Sequence, residues 1–430
     1  MNLQPRRRFL QGVLTAATLG PEIIAHAGAP ATSPNDLEDR IRGMLIGTLL
    51  GDAIGGPIEF QAPDAIQTLP DPPKQWRAGE TMDAPARLET ARRLRLRAYP
   101  PLRPKPESYG SWNVDAVAGT ITDDTRHKLV LLSALRTAES SERWPLGVRD
   151  LAQAYLDWPS TSAVTAHPDY VPLAADWLEE WQFSARWVLG NRDLRLARPP
   201  ERMWQGLPTC CGQMTSLPLA ALFPGKPSEA YRAAWQLGFF DNAWGKDLNA
   251  ALVAGLATAL VTPCEGPAPK AAWETVWKSM RATDPYGYGQ IRWSQRAVDR
   301  WLNYALGSAL EANHEPARLF AAWDQEFRTT TKWEAQVPVV VCFGCVAMAE
   351  FDPLAALQLS LEWGWDTDSY AQLVGAFVGA LHGPSIFPEP WQVEVKQRLQ
   401  VDHQFDFEQE VRRLLRLQQL ASTKPLVAGI

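Results

Sequence analysis

The sequence predicts an all-α protein, a compact single-domain bundle of many helices. Apolar residues recur at helical spacing through most of the chain after residue 119, and hardly any stretch alternates polar and apolar residues as an amphipathic strand does. No convincing linker interrupts residues 119–418, which favours one domain over several. The 19 tryptophans are scattered through these segments and predict a core or groove rich in aromatic rings.

The individual helices follow from the same periodicity. The first covers LEDRIRGMLIGTLLGDAIGG, where apolar side chains recur at i, i+4, i+7 and i+8 from Leu37, and the second runs over residues 123–138. The last segment, 389–418, is predicted to be broken into pieces. The other predicted helices are 148–157, 171–189, 227–239, 246–262, 270–281, 293–312, 315–327, 335–350, 353–362 and 368–382.

The N-terminus predicts an export signal. Three arginines at 6–8 precede Phe9 and Leu10, an apolar stretch follows, and small residues at 25–27 offer a cleavage site. This pattern resembles a twin-arginine signal peptide over residues 1–27, and it predicts an exported protein, periplasmic or extracellular. A basic tail is the alternative. A linker at 28–35 and a domain at 36–430 would follow.

Residues 61–118 show no sustained period and are interpreted as an irregular insertion in that domain. Within the insertion, residues 91–106 carry six basic residues and no acid, which indicates a solvated loop or, alternatively, a phosphate-attracting rim beside an active site.

Composition excludes several functional classes. The formal net charge of −6 argues against a nucleic-acid partner, because phosphate contacts require clustered cations. No apolar run after the leader is long enough to predict stable membrane insertion. The C-x-x-C spacing of Cys342 and Cys345 lacks two further zinc ligands nearby, so both are predicted to be buried helical cysteines.

Two predicted helices carry glycine at every fourth position, in GMLIGTLLG at 43–51 and GAFVGALHG at 375–383. Each glycine costs a helix roughly 1 kcal/mol relative to alanine, so close backbone packing is expected in compensation. We therefore predict that both helices run through the centre of the fold, with contact between them as one arrangement.

Two helix starts repeat one arrangement, a pair of aspartates with a hydroxyl residue. Ordinary helix capping would explain either pair of aspartates on its own, because acids are favoured at helix N-termini. If the glycine helices bring the two starts together, four carboxylates would repel one another unless cations lay between them. Oxygen ligands without histidine or cysteine favour Mg²⁺, Mn²⁺ or Ca²⁺. The two sets are Thr122, Asp123 and Asp124, and Asp366, Asp368 and Ser369, with Asp368 as a candidate bridge between two ions.

Three further residues lie in or beside the segments that carry these aspartates. Glu59 follows Pro57 at the end of the first glycine helix, where it is either a working carboxylate or a solvent-exposed loop residue. His127 is one turn after Asp124 and is expected on the helix surface, with a place beside the metal ligands as the alternative. His382 ends the last glycine helix, where a cation is favoured.

Together the segments GMLIGTLLGDAIGGPIEF at 43–60, TDDT at 122–125 and DTDSYAQLVGAFVGALHG at 366–383 resemble the ADP-ribosylglycohydrolase family, in which such segments occur in this order. The resemblance implies an all-α fold with two Mg²⁺ or Mn²⁺ ions, and hydrolysis of the bond that joins ADP-ribose to an acceptor. It implies Glu59 or Asp124 as the catalytic base. It implies these metal ligands: Thr122, Asp123, Asp124, Asp366, Asp368 and Ser369.

Some positions depart from the family's pattern. Ser369 replaces a threonine, Thr215 stands where the family has an arginine, and Trp365 replaces a small residue and is expected to place an indole against the metal site. The leading hypothesis is a metal-dependent glycohydrolase acting on an ADP-ribosylated or small-molecule ribosyl substrate. The alternatives are a non-catalytic binding or structural protein on the same fold and a calcium-stabilised exported protein without chemistry.

Overall fold

The computed structural model describes residues 34–60, 119–141, 144–166, 170–264 and 270–423. The signal peptide at 1–27, the insertion at 61–118 and nearly all of the linker at 28–35 lie outside these residues. Those three assignments therefore stay predictions.

The described residues form sixteen α-helices and no β-strand, which confirms the all-α fold. In chain order the helices are α1 Pro34–Gly55, α2 Asp123–Ser140, α3 Val148–Asp157, α4 Ser162–Thr165, α5 Tyr170–Val188, α6 Cys211–Ser216, α7 Pro227–Leu237, α8 Ala243–Ala259, α9 Lys270–Ala282, α10 Ala297–Ala312, α11 Pro316–Glu326, α12 Gln336–Met348, α13 Pro353–Glu362, α14 Thr367–His382, α15 Glu389–His403 and α16 Phe407–Thr423.

Most predicted helices are present within a few residues of their expected bounds. The predicted break in the last segment is confirmed, because α15 ends where Gln404 adopts a left-handed backbone conformation with φ 51°. The prediction of a helix from residue 293 was wrong at its start, since α10 begins only at Ala297. The short helices α4 and α6 were missed because four to six residues are too few to establish a period.

The predicted contact between the glycine helices is confirmed: α1 and α14 pack side by side, in opposite directions, at the centre of the fold. A methyl group on Gly43 would overlap the backbone of Gly379, and one on Gly47 would overlap the backbone of Gly375. Every residue of α14 from Thr367 to Leu381 is buried. Glycine is needed at these positions because only a hydrogen atom fits between the two backbones.

The end of α1 positions both acidic helix starts. A Cβ on Gly55 would lie 2.5 Å from the Cα of Asp368, and the Thr367 hydroxyl donates to the Gly55 carbonyl at 2.8 Å. On the other side, the Asp52 carboxylate accepts from the backbone N–H groups of Thr122 and Thr125, each at 3.0 Å. One buried helix end therefore binds the first turns of α2 and α14 and brings them to the same place.

Cys342 and Cys345 are free and fully buried in α12, as predicted. Burial raises the pKa of both thiols, so neither is poised to be a thiolate at neutral pH. None of the helices in the described residues is long and apolar enough to span a membrane.

Candidate active site

The two acidic helix starts converge. Carboxylate oxygens of Asp123, Asp124 and Asp368 lie within 4.8 Å of one another, and so do those of Glu59, Asp366 and Asp368. We call these the aspartate cluster and the glutamate cluster. Asp368 belongs to both, which is the arrangement expected of a residue that bridges two ions.

The two hydroxyl residues occupy the same place. Thr122 is the N-cap of α2, and its hydroxyl oxygen accepts from the backbone N–H of Asp124 at 3.3 Å. The Ser369 hydroxyl donates to the Asp124 carboxylate at 3.1 Å, although 245 positions separate the two residues. All six oxygen-bearing residues that the sequence singled out as metal ligands are therefore gathered at the junction of α2 and α14.

The carboxylates at this junction fit a metal ion. Asp366 and Asp368 are 4% and 0% exposed, and in each the Oδ2 atom has no hydrogen-bond partner among the described residues. An anionic oxygen that has lost its water without gaining a donor is costly, and a coordinated cation removes that cost. Oxygen-only donor sets of this kind suit hard divalent ions.

The pKa values of these acids show the same crowding. Burial, and then the negative charge of Asp368, raise the pKa of Asp124 and of Asp366 well above the ordinary aspartate value. The pKa of Asp52 is raised for the same two reasons and is held back by hydrogen bonds from Thr125 and Thr122. A divalent cation close to these three carboxylates would lower their pKa values, because it favours the ionised form.

Two residues at the junction were not foreseen from the sequence. Lys128 and Gln372 are fully buried and lie one helical turn after Asp124 and Asp368. The Lys128 ammonium donates to the backbone carbonyl of Asp124 at 2.9 Å and to the Gln372 side-chain carbonyl. The Gln372 amide N–H donates in turn to the Asp124 carboxylate. A lysine four residues after an aspartate usually indicates a surface ion pair, so spacing alone gave no signal of this bridge.

Glu59 is buried, at 5% exposure, so of the two alternatives the solvent-exposed loop residue is excluded. It follows the short 3-10 turn Gly56–Ile58, and the next residue, Phe60, donates its backbone N–H to the carbonyl of Trp365. That bond joins the segment of Glu59 to the residue before Asp366. Tertiary pairing of two loops therefore brings this glutamate to the aspartates at the start of α14.

His127 is also buried, and its expected place on the helix surface was wrong. Its ring stacks on Trp181 with 4.0 Å between ring centroids, and its Nδ1 lies 3.2 Å from the Tyr155 hydroxyl. Burial, with Lys128 and Arg126 nearby, lowers the pKa of His127 well below its ordinary value. The imidazole is therefore neutral at physiological pH and supports the position of Trp181.

Two of the three departures from the family pattern, Thr215 and Trp365, lie beside the site. The Thr215 hydroxyl is 3.1 Å from the Tyr155 hydroxyl, in the buried layer behind His127. The backbone of Trp365 has φ 67° and precedes Asp366 directly, whereas its half-buried ring lies 5.2 Å from the Lys332 ammonium. Among the residues described, Trp365 does not line the pocket over the carboxylates, contrary to the expectation of an indole against the metal site.

A cavity of about 490 Å³ opens over the two clusters. One wall is aromatic, and carboxylates line the rest together with Thr209, Cys210, Cys211, Met214 and Ser369. No lysine or arginine side chain is among the described lining residues. The aromatic residues are Phe60, Trp177, Trp181, Trp204 and Trp333, and the acidic ones are Glu59, Asp123, Asp124, Glu179, Glu180 and Asp366.

Trp204 lies in the middle of the aromatic wall. Its ring meets Trp181 and Trp333 edge-on, with centroid separations of 5.7 and 5.5 Å. Its backbone, like that of Gln205, is left-handed, at φ 49° and 60°. Side chains other than glycine rarely adopt this conformation, and it recurs where a functional side chain must be aimed. The predicted aromatic groove thus exists, but its members come from four separate segments.

Helices, carboxylates and pocket together define a class: an all-α protein with an acidic, oxygen-ligand centre at the base of a ligand-sized cavity. The chain belongs to the ADP-ribosylglycohydrolase family, whose family model matches residues 33–423. No curated protein matches the sequence significantly.

Proposed function

We propose that the protein is a metal-dependent glycohydrolase that cleaves an ADP-ribosyl or related ribosyl N- or O-glycosidic bond with two Mg²⁺ or Mn²⁺ ions. Family membership makes it a hydrolase of the ADP-ribosylglycohydrolase kind. The observation that carries the metal centre is the sharing of Asp368 between two carboxylate clusters, each within 4.8 Å, at the base of the cavity.

The ligands would be divided between the two clusters. Asp123, Asp124 and Asp368 would hold one ion and Glu59, Asp366 and Asp368 the other, with the hydroxyls of Thr122 and Ser369 completing the oxygen set. Bound divalent ions would orient ribose hydroxyl groups and a water molecule and would offset negative charge at the site.

The carboxylates provide the acid and base groups that glycoside cleavage needs. Such reactions pass through an oxocarbenium-like transition state, with one carboxyl group as acid and another as base or nucleophile. Glu59 and Asp124 both line the cavity and are the two candidates for the base. A substrate bound against the aromatic wall would exclude water from that side of the cavity, which would strengthen electrostatic interactions there.

Metal removal tests this proposal. We expect protein treated with EDTA to lose ribosyl hydrolysis and Mg²⁺ or Mn²⁺ to restore it, because the clustered carboxylates lose their counter-charge. The melting temperature should rise on re-addition of metal, since an ion at 100 times its Kd stabilises the fold by about 2.7 kcal/mol. Activity is measured as release of ribose or ADP-ribose from ADP-ribosylated protein and from nucleosides.

The other outcomes separate the alternatives. Metal-dependent stabilisation without turnover of any ribosyl substrate would favour the non-catalytic binding protein. A response to Ca²⁺ alone would favour a calcium-stabilised structural protein. Full activity in EDTA would contradict the proposed metal centre.

Substitution of the central indole tests the role of the aromatic wall. We expect Trp204→Ala to raise KM about tenfold and to change kcat by less than about threefold, because a stacked aromatic contact contributes about 1 kcal/mol or more to binding. Trp293→Ala is the control, since that indole is 86% exposed and does not line the cavity. An unchanged KM in the Trp204 variant would contradict a substrate position against this wall.

A further inference from the structure

Three buried polar side chains next to the cavity form a chain of hydrogen bonds outside the two carboxylate clusters. Asp241, Asn249 and Gln213 are 7%, 2% and 0% exposed. The Asn249 amide donates to Oδ1 of Asp241 at 2.8 Å, and the Gln213 amide donates to the side-chain carbonyl of Asn249 at 2.9 Å. None of the three is among the described residues that line the cavity. We call these three residues the Asp241 network.

The Asp241 network holds residues 209–214, which we call the cysteine segment. Oδ1 of Asp241 accepts from the backbone N–H of Gly212 at 2.8 Å, and the Asn249 amide donates to the backbone carbonyl of Thr209 at 3.2 Å. A Cβ on Gly212 would overlap the Asp241 carboxylate, so the carboxylate and the backbone of the segment are in direct contact. The segment supplies four residues to the cavity lining: Thr209, Cys210, Cys211 and Met214.

The same network reaches a further lining residue, Trp333. The Gln213 amide also donates to the backbone carbonyl of Ala335 at 2.8 Å. Two backbone bonds then join this stretch to the cysteine segment. The N–H of Cys210 donates to the carbonyl of Trp333 at 3.0 Å, and the N–H of Ala335 donates to the carbonyl of Pro208 at 2.9 Å. The Asp241 network therefore connects α8 to two stretches of chain that line the cavity.

The carboxylate of Asp241 is the acceptor on which this arrangement depends. Burial raises the pKa of Asp241 to about 7, and the hydrogen bond from Asn249, the charge of Lys246 and the N–H of Gly212 act in the opposite direction. Removal of the carboxylate would leave two buried N–H groups without this acceptor. Because a buried donor without an acceptor is costly, the cysteine segment would then move to a position where its backbone finds water or another acceptor.

We infer that Asp241, Asn249 and Gln213 are positioning residues, which fix the cysteine segment and Trp333 in the places where a substrate in the cavity would contact them. The inference rests on the proposed function, because it assigns the network an effect on substrate affinity. The carboxylates of the two clusters belong to other segments of the chain. The network should therefore affect substrate binding more than the chemical step.

Cysteine labelling of the full chain reports the position of the cysteine segment without any substrate. Cys210 and Cys211 are 4% and 3% exposed, and Cys342 and Cys345 in α12 are fully buried. Buried thiols react only when the structure around them opens, so we expect Asp241→Ala to label the cysteine segment with N-ethylmaleimide at least about tenfold faster than the wild type. Labelling in α12 should change by less than about threefold. Mass spectrometry at about pH 8, where Asp241 is mostly ionised, measures the rates.

Two further variants separate positioning from general stability. Asp241→Asn keeps an oxygen that can accept both hydrogen bonds, and it should label at the wild-type rate. Asp247→Asn is the matched control, because Asp247 lies on α8, is 1% exposed and binds Tyr231 and Arg296, neither of which is a described lining residue of the cavity. This control should melt at a lower temperature, since it weakens a buried ion pair, and should label the cysteine segment at the wild-type rate.

Steady-state kinetics tests the consequence for substrate. We expect Asp241→Ala to raise KM for the hydrolysed ribosyl substrate about tenfold and to change kcat by less than about threefold, because substrate contacts are lost while the carboxylate clusters stay in place. Asp241→Asn should restore the wild-type KM. The control Asp247→Asn should leave KM and kcat at their wild-type values.

If Asp241→Ala does not fold, Gln213→Met carries the test. It removes the two bonds that the Gln213 amide donates, and the carbonyl of that side chain has no partner among the described residues. Labelling of the cysteine segment and KM should each rise about threefold or more.

Unchanged labelling of the cysteine segment in the folded variants, or equal acceleration in α12, would overturn the inference. Faster labelling of the segment with an unchanged KM would overturn the effect on substrate binding. Absence of hydrolysis by the wild-type protein would instead contradict the proposed function, and the labelling rates would still decide whether the network positions the segment.

Discussion

Asp368→Ala is expected to lower hydrolysis by at least about a thousandfold and to abolish binding of both metal ions. The reason is that this carboxylate is the only residue common to the two clusters, and single groups that stabilise developing charge commonly contribute a hundredfold or more. Kinetics and metal titration measure the two losses.

The melting temperature of Asp368→Ala should respond to metal differently from that of the wild-type protein. Without metal, we expect Asp368→Ala to melt at the same temperature as the wild-type protein or higher, because it removes one of several crowded buried anions. With Mg²⁺ or Mn²⁺, only the wild-type protein should gain stability. Helix content should remain largely intact in both.

Asp352→Asn provides the matched control. Asp352 also begins a helix, α13, and its carboxylate accepts from the backbone N–H groups of Leu354 and Ala355. This substitution should change stability by less than about 1 kcal/mol, because asparagine caps a helix about as well as aspartate, and it should leave the metal response unchanged. Wild-type activity in Asp368→Ala would overturn the assignment of the site.

Gly375→Ala is expected to destabilise the fold by about 3 kcal/mol. The added methyl group would meet the carbonyl oxygen and carbonyl carbon of Gly47, which are main-chain atoms in the middle of a helix and have little freedom to move. Separation of α1 from α14 would also move the end of α1 away from Asp368, so metal affinity should fall with stability. Chemical denaturation and Mn²⁺ titration measure the two effects.

The chain offers an internal control for this prediction. Gly307 lies inside α10, and a Cβ built there meets no atom within 4 Å. Gly307→Ala should therefore stabilise the protein by about 0.5–1 kcal/mol, because alanine is the better helix former. Equal effects of the two substitutions would show that helix propensity, and not the contact between backbones, governs both positions.

The sequence predicted the parts of the site that depend on local pattern. Glycine at every fourth position of α1 and α14 indicated close packing of helices, and the structure has that contact. The paired aspartates at two helix starts indicated an oxygen-ligand centre, and the structure brings them within coordination distance. Both predictions rest on spacings of one to four residues, which are properties of one helix at a time.

Residues whose roles depend on distant neighbours were missed or misplaced. The roles of Lys128 on α2 and Gln372 on α14 could not be predicted from either helix alone. Their hydrogen bonds join the two helices at Asp124. His127 was expected on the helix surface, whereas α5 covers it with Trp181. Glu59 was identified as a candidate site residue with its burial left open, and the contact between its loop and Trp365 decided that burial.

The sequence by itself determined the helices, the two glycine stripes and the pairs of acids at the helix starts, because hydrogen bonding and apolar periodicity within a helix extend over only a few residues. The tertiary structure alone decided which carboxylates lie close enough together to hold an ion, that Lys128 lies among them and which indoles form the wall of the cavity. Those features depend on burial and on distances between charges, and the packing of α1 against α14 sets both.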